Sequence, residues 1–155
     1  MADGWRIRRA RAAETAALVA LWERSVRATH DFLAEADIAE LRPLVGEALG
    51  DGSLELWVLA GPEDAPAGFM GLAGPDIAAL FLEPDRRGQG GGRRLVEHAQ
   101  ALHPGDLTVD VNEQNPAARG FYEALGFVVV GRSPLDADGR PFPLLHMRRA
   151  TLEPA

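Results

Sequence analysis

The chain has 155 residues and a formal net charge of −7, with 46% hydrophobic and 25% charged residues. These values are ordinary for a soluble globular protein, and the acidic balance does not favour nucleic-acid binding. The sequence contains no cysteine, which excludes disulfides, thiolate catalysis and cysteine-based zinc sites. No apolar stretch approaches the ~20 residues that span a bilayer, and the polar, basic start is no signal peptide. We therefore expect a cytoplasmic protein that binds no membrane.

The first half of the chain predicts one strand, two helices and a three-stranded meander. Trp5–Arg8 alternates polar and apolar residues as a short strand does. Apolar residues recur every three or four positions over 13–29, which predicts a helix. The predicted inward face of this helix is Leu18, Leu21, Trp22, Ser25 and Val26. A second helix is predicted from Ala36 to Leu49, and the meander strands are Leu54–Ala60, Ala67–Ala73 and Ile77–Leu82.

The second half of the chain alternates helices with strands. A helix is predicted over Gly90–Leu102 from its apolar spacing. Its predicted inward positions are Leu95, Ala99 and Leu102. The remaining predicted elements are a strand at 107–111, a helix at 116–125 and strands at Phe127–Gly131 and Pro143–Arg148. The chain shows no internal repeat and no linker, so we expect one domain over 1–155.

The most informative segment joins the strand that ends at Leu82 to the helix that starts at Gly90. It reads Arg86-Arg87-Gly88-Gln89-Gly90-Gly91-Gly92-Arg93-Arg94. A glycine-rich turn at a helix N-terminus offers backbone N–H groups and the positive end of the helix dipole, which predicts a phosphate or pyrophosphate site. A nucleotide-binding α/β protein is the weaker interpretation, because the lysine and hydroxyl of a Walker loop are missing. Arg93 also stands where a dinucleotide fingerprint has its third glycine.

A second informative segment runs from Asn115 to Phe127. Asn115 is a good helix N-cap, Pro116 suits the first helical position, and Gly126 suits the position that follows a helix. One face of the predicted helix carries Ala118, Phe121, Tyr122 and Leu125. The segment therefore predicts a capped amphipathic helix that places the only tyrosine of the chain on its inner face.

Together the two segments resemble the acetyl-CoA-binding motifs of the GNAT superfamily of N-acetyltransferases. The first matches R-x-x-G-x-G at Arg87, Gly90 and Gly92, and the second matches N-x-x-[AS]-x-x-[FL]-Y-x-x-x-G-F from Asn115 through Phe127. The chain looks most like the small, stand-alone bacterial members. The resemblance implies an α/β (α+β) fold with a mixed, mostly antiparallel sheet of six to seven strands and about four flanking helices. Two strands are expected to splay apart at the acetyl-CoA site.

The resemblance also implies which residues bind acetyl-CoA. The backbone of one strand would pair with the pantetheine arm and donate an N–H group to the thioester oxygen. These strand residues are Leu80, Phe81 and Leu82. Asn115 would also approach the pantetheine, and the pyrophosphate would be held by Arg87, Gly88, Gln89, Gly90, Gly91, Gly92 and Arg93. No His, Asp or Glu cluster has metal-ligand spacing, so we expect no metal.

Two catalytic residues are expected. Tyr122 stands where many GNAT enzymes keep the general acid for the departing thiolate. His30, in the loop after the first helix, is the leading general base, because histidine titrates near pH ~6.5 and would leave a limb there in the rate profile. A chain of water molecules is another route for the proton. The other candidate bases are Asp31, Asp76, Glu83, Glu113 and His146, of which His146 is expected to be packed among apolar neighbours.

The expected function is direct transfer of an acetyl group from acetyl-CoA to an amine in a ternary complex. The absence of cysteine excludes a Cys acyl-enzyme. The alternative is a non-catalytic acyl-CoA-binding module that senses or regulates. The acceptor stays open among a small amine, an amino acid, an antibiotic and a protein N-terminus. We expect the segment Arg24–Glu40 to face the acceptor, and we expect a monomer or homodimer that binds no nucleic acid.

Overall fold

A computed structural model describes residues 4–150, so residues 1–3 and 151–155 of the expected domain lie outside it. The helices are α1 (Thr15–Thr29), α2 (Glu35–Gly50), α3 (Gly91–Leu102) and α4 (Pro116–Ala124). The strands are β1 (Arg6–Arg9), β2 (Glu55–Ala60), β3 (Pro66–Ala73), β4 (Asp76–Leu82), β5 (Leu107–Asn112), β6 (Val128–Ser133) and β7 (Leu144–Arg149). All predicted elements are present, with ends that agree to within two residues. No helix in the described range is long and apolar enough to cross a membrane.

The described strands form one seven-stranded sheet in the order β1-β2-β3-β4-β5-β7-β6. Every neighbouring pair is antiparallel except β4 and β5, which are parallel. This arrangement confirms the expected mixed, mostly antiparallel sheet with flanking helices. The last strand, β7, lies between β5 and β6, so that it contacts both of them.

The two central strands, β4 and β5, separate soon after they meet. They pair only at Asp76 with Thr108 and at Ile77 with Val109. Beyond this point, β4 continues to Leu82 with its ladder to β3 intact. Among the described strands, none pairs with the other edge of Leu80–Leu82. The expected splay is therefore present, and it opens a gap in the middle of the sheet.

The core lies in two layers, one on each face of the sheet. Helices α3 and α4 cover the face that carries Leu107, Val109 and Val111 of β5. Helices α1 and α2 cover the opposite face of β2 and β3, around Val58 and Phe69. Because α1 and α2 pack on the N-terminal half of the sheet, a cleft remains where β5 and β7 emerge beside them.

One predicted core position is wrong. Leu102, expected to point inward, is 40% exposed, whereas Val96 is fully buried. Leu102 is the last residue of α3, and the final residue of a helix lacks the neighbouring turn that would cover it. Leu95 and Ala99 are buried as predicted.

Candidate active site

Two adjoining cavities lie at the gap between β4 and β5. The first has a volume of about 560 Å³ and extends to the glycine-rich loop and α4. The second has a volume of about 370 Å³ and extends to the loop after α1 and to the loop before β7. The residues that line both cavities are His30, Ile77, Ala78, Phe81, Asp110 and Asn112. The splay therefore connects two compartments through the sheet.

The glycine-rich loop forms one end of the first cavity. Gly88 and Gly90 have φ values of +78° and +85°, a left-handed conformation that glycine adopts without strain. Gly90 is the N-cap of α3, so the unpaired N–H groups of the first helical turn begin at this loop. Arg87 and Arg93 line the same cavity, and within residues 4–150 no carboxylate forms an ion pair with either. This combination of N–H groups and free positive charge suits a pyrophosphate.

Gly91 and Gly92 have a different role from the two glycines that precede them. Both are buried at the start of α3. A Cβ atom on Gly91 would lie 2.6 Å from Leu59 Cδ2, and one on Gly92 would lie 2.9 Å from Phe121 Cζ. These distances are shorter than real contacts, so the two glycines allow α3 to pack closely against β2 and α4.

Most of the expected acetyl-CoA residues line the first cavity. Gln89 is the exception, because its side chain donates to the carbonyl oxygen of Asp85 at 3.4 Å and the residue does not line the cavity. The others that line it are Leu80, Phe81, Leu82, Arg87, Gly88, Gly90, Gly91, Gly92, Arg93 and Asn115. Since one backbone edge of Leu80–Leu82 has no strand beside it, that edge is free to pair with an extended ligand.

Tyr122 lies in the inner wall of the first cavity. Its ring is only 6% exposed and forms edge-on contacts with Phe121 and Phe127, with centroid distances of 4.9 and 5.2 Å. No described residue hydrogen-bonds to its hydroxyl. Burial raises the pKa of Tyr122 above its ordinary value of 10, because the phenolate would lose its hydration. The hydroxyl therefore carries its proton throughout the physiological pH range.

Asn115 and His30 meet at the junction of the cavities. Asn115 caps α4 as predicted, since its Oδ1 accepts the N–H of Ala118 at 3.2 Å. Its Nδ2 lies 3.5 Å from Nε2 of His30. Thr29 donates its hydroxyl to the carbonyl of Ser25 at 2.8 Å and lies 2.7 Å from Nδ1 of His30. Since that hydroxyl proton is already used, Nδ1–H must be the donor to Thr29, and Nε2 accepts the Nδ2–H of Asn115.

The second cavity combines aromatic rings with carboxylates. Phe32 and Phe142 lie with their ring centroids 5.7 Å apart, and Phe32 also contacts the ring of His30 at 5.4 Å. The carboxylates that line the cavity are Asp76, Asp110, Asp136 and Asp138. Phe32 and Leu33 come from the segment Arg24–Glu40, which therefore borders this cavity. Aromatic faces and negative charge together suit a cationic ligand.

Comparison with known proteins agrees with this geometry. The family model for the acetyltransferase (GNAT) domain matches residues 52–129. The chain is also 53% identical over 141 residues to the peptidyl-lysine N-acetyltransferase YjaB of Salmonella typhimurium, covering 91% of this chain and 95% of that protein. The chain belongs to the GNAT family of acetyltransferases. It is accordingly an enzyme that transfers an acetyl group from acetyl-CoA to an amine, and the non-catalytic alternative is not favoured.

Solved GNAT structures share the fold. The solution structure of apo-form YjaB from Escherichia coli superposes with a TM-score of 0.87 at 49% identity, covering 96% of this chain and 99% of that one. The PaiA N-acetyltransferase of Thermoplasma acidophilum, solved in complex with coenzyme A, has a TM-score of 0.74 at 15% identity. That comparison covers 94% of this chain and 98% of the other and shows a common GNAT architecture.

The titration of His30 differs from the expectation of a limb near pH 6.5. Burial, together with the positive charge of Arg87, lowers the pKa of His30 from 6.5 to about 4. The expectation used the unperturbed pKa of histidine, but the ring lies at the cavity junction in this GNAT enzyme. His30 is therefore neutral at physiological pH, and its ring is a weaker base than an ordinary histidine.

This pKa predicts how stability depends on pH. Unfolded His30 binds a proton below pH 6.5, whereas the folded protein resists protonation of this ring down to about pH 4. The free energy of unfolding should therefore fall as the pH drops from 6.5 towards 4. Relative to a His30→Ala variant, the wild type should lose roughly 1–2 kcal/mol more between pH 7 and pH 5. Urea unfolding of both proteins at the two pH values measures this difference, and equal losses would contradict the assigned burial.

The other candidate bases differ in whether they line a cavity. Asp76 lines the second cavity and accepts the hydroxyl of Thr108 at 2.7 Å. Both carboxylate oxygens of Glu83 accept from Arg24, at 2.8 and 2.5 Å. Four candidates line neither cavity: Glu83; Glu113, which pairs with Arg132; the exposed Asp31; and His146.

The apolar packing expected for His146 is wrong. Its Nδ1 lies 2.6 Å from Oδ1 of Asp110 on β5, and its Nε2 lies 2.7 Å from Oγ of Ser133 on β6. The apolar neighbours of His146 in the sequence, Leu145 and Met147, face the other side of the sheet, in the core. Asp110 was not among the predicted site residues. The alternation of polar and apolar residues along β5 was the available signal, because it places Asp110 opposite the core face.

Proposed function

We propose that residues 1–155 form one domain that transfers the acetyl group directly from acetyl-CoA to the ε-amine of a lysine in a protein or peptide. The observation that carries this proposal is the junction of two cavities at the β4–β5 splay. Acetyl-CoA would enter from the loop side and the amine from the aromatic and acidic side. Both substrates would then be bound together in a ternary complex, without a covalent enzyme intermediate.

The first cavity fits acetyl-CoA in three respects. The left-handed turn at Gly88 and Gly90 presents N–H groups for a pyrophosphate, and Arg87 and Arg93 add unpaired positive charge. The free edge of Leu80–Leu82 offers N–H and C=O groups to the pantetheine amides. An N–H group on that edge would also stabilise the thioester oxygen as it gains negative charge.

A water molecule beside His30 and the Tyr122 hydroxyl would carry the proton transfers. The acceptor enters as an ammonium ion, and a water molecule beside His30 would carry one of its protons to solvent, because a ring with a pKa of about 4 does not hold that proton itself. The Tyr122 hydroxyl gives a proton to the departing sulfur, and the second proton lost by the attacking nitrogen replaces it on Tyr122. The products are an amide, a free thiol and one proton released to solvent. Proton donation of this kind contributes about 10²- to 10⁴-fold to rate.

The second cavity supports lysine as the acceptor. Its four carboxylates and the Phe32–Phe142 pair favour a primary ammonium on an apolar stem. A lysine side chain has this composition, while an N-terminal amine lies directly against a polar backbone. The relatives named as peptidyl-lysine N-acetyltransferases agree with this choice.

A panel of acceptors tests the proposal. Peptides with one internal lysine and an acetylated N-terminus should release CoA thiol in the presence of acetyl-CoA. Matched peptides with a free N-terminus and no lysine, together with spermidine and free amino acids, should react at least about tenfold more slowly, because they lack the long apolar stem or its single charge. Mass spectrometry then locates the acetyl group.

The composition of the enzyme simplifies this measurement. All sixteen basic residues other than histidine are arginine, so any acetyl-lysine detected belongs to the added peptide. Faster reaction with the peptide that has a free N-terminus would show that the preferred acceptor is an α-amine and not the lysine ε-amine. Binding of acetyl-CoA without transfer to any amine would instead support the non-catalytic module.

A further inference from the structure

A chain of three hydrogen-bonded side chains crosses the open face of the sheet beside the second cavity. Asp110 on β5 is paired in register with His146 on β7, and their side chains are 2.6 Å apart. His146 in turn lies 2.7 Å from Ser133 on β6. Gly131 is the register partner of His146 on β6, and a Cβ there would make an ordinary contact with the imidazole, 3.4 Å from Cδ2.

One donor in this chain is fixed by chemistry. A carboxylate only accepts hydrogen bonds, so Nδ1 of His146 carries the proton that Asp110 Oδ1 receives. Nε2 and the Ser133 hydroxyl share the second hydrogen bond. The chain fixes one oxygen of Asp110, and no described residue hydrogen-bonds to the other, Oδ2.

Asp110 differs from the other carboxylates near the second cavity. Asp136 accepts the backbone N–H groups of Asp138 and Arg140 at 3.0 and 2.8 Å, so it closes the loop that contains it. Asp138 pairs with Arg140, and Asp76 accepts the Thr108 hydroxyl. Only Asp110, among the described carboxylates, lines both cavities.

Stability does not explain this arrangement. The side chain of Asp110 is 52% exposed and that of His146 is 37% exposed, and exposed ion pairs contribute little to folding. We propose that Asp110 binds the acceptor ammonium through Oδ2 at the junction of the cavities, while His146 and Ser133 are positioning residues that hold the carboxylate in place. This inference rests on the proposed transfer to lysine.

The proposed role of Asp110 predicts which kinetic constants change when residues of the chain are substituted. The carboxylate would hold the ammonium at the junction of the cavities, which His30 also lines. Substituting Asp110 should therefore weaken binding of the charged acceptor more than it slows the chemical step. Substituting His146 or Ser133 should have a smaller effect of the same kind, because the carboxylate keeps its charge but loses its support.

Steady-state kinetics of four variants test the assignment with the internal-lysine peptide. Asp110→Asn should raise the KM for the peptide by roughly 10- to 100-fold, the value of one charge-assisted hydrogen bond, with at most a few-fold change in kcat. His146→Gln and Ser133→Ala should raise KM by successively smaller factors. Asp51→Asn, an equal change of charge in the exposed turn after α2, should leave both constants at wild-type values.

A neutral ligand separates charge recognition from a change in fold. The same peptide with norleucine in place of lysine should inhibit the wild type and Asp110→Asn with equal inhibition constants, because it has no ammonium to lose. A parallel rise in that inhibition constant, or an unchanged KM for the lysine peptide in Asp110→Asn, would overturn the inference. If the wild type itself transfers to no lysine peptide, the proposed function fails instead.

Discussion

Tyr122→Phe should lower turnover by roughly 10²-fold or more, because it keeps the ring and removes the proton that the departing thiolate needs. The affinity for acetyl-CoA should stay nearly unchanged, since the hydroxyl is one atom in a cavity of about 560 Å³. Folding should not suffer either, because no described residue hydrogen-bonds to this hydroxyl. Thiol release under saturating substrates measures turnover, and titration by thermal shift measures affinity.

The raised pKa of Tyr122 adds a second test of the same role. A general acid works only while it is protonated, so activity falls above its pKa. Because burial raises the pKa of Tyr122 above 10, activity should show no descending limb from this residue below pH 10. The same apolar surroundings disfavour the thiolate, which keeps proton transfer from Tyr122 feasible. Unchanged turnover in Tyr122→Phe would show that the thiolate leaves unassisted.

Gly90→Glu should abolish the stabilisation of the protein by acetyl-CoA. At a ligand concentration of 100 times Kd, binding stabilises a protein by about 2.7 kcal/mol, which corresponds to roughly 5–10 °C in Tm for a domain of this size. A glutamate at this position brings a side chain and a negative charge to the N-terminus of α3, where the pyrophosphate would be held. Differential scanning fluorimetry with and without acetyl-CoA measures the shift.

Gly52 provides a matched control. Its φ is +80°, and no atom lies within 4 Å of the position that a Cβ would occupy. Gly90, with a φ of +85°, has the same open surroundings. Gly52→Glu therefore imposes the same backbone strain, of about 1–2 kcal/mol, at a position that lines neither cavity. It should lower the Tm of the free protein and keep the full shift with acetyl-CoA. Stabilisation by NAD or ATP, with none by CoA, would contradict the pyrophosphate assignment.

Local signals in the sequence determined the elements and the acetyl-CoA side of the candidate site. Asn115, Pro116 and Gly126 specify the ends of α4 through caps and backbone preferences that need no distant partner. The glycine-rich turn lies within ten residues of the end of its strand, so the loop and the start of α3 could be placed from spacing alone. Tyr122 is on the inner face of α4 because helical periodicity places it there.

The acceptor side depended on contacts between residues far apart in the chain. The apolar neighbours of His146 suggested a packed histidine, yet the insertion of β7 between β5 and β6 places it between Asp110 and Ser133. Strand order is set by tertiary packing and by the path of the last hairpin, which the residues of one strand do not encode. The second cavity likewise depends on tertiary packing, because Phe32 and Phe142 are far apart in the chain and meet only in the folded protein.

His30 is a second case in which the sequence determines the residue and the tertiary structure determines its chemical state. The sequence determined its residue type and its place after α1, from which only an ordinary histidine pKa of 6.5 follows. The tertiary structure brings Arg87 near the ring and buries it at the splay, and these two effects lower the pKa to about 4. Desolvation and charge depend on distance in space, so only the folded arrangement decided which protonation state this histidine has in the enzyme.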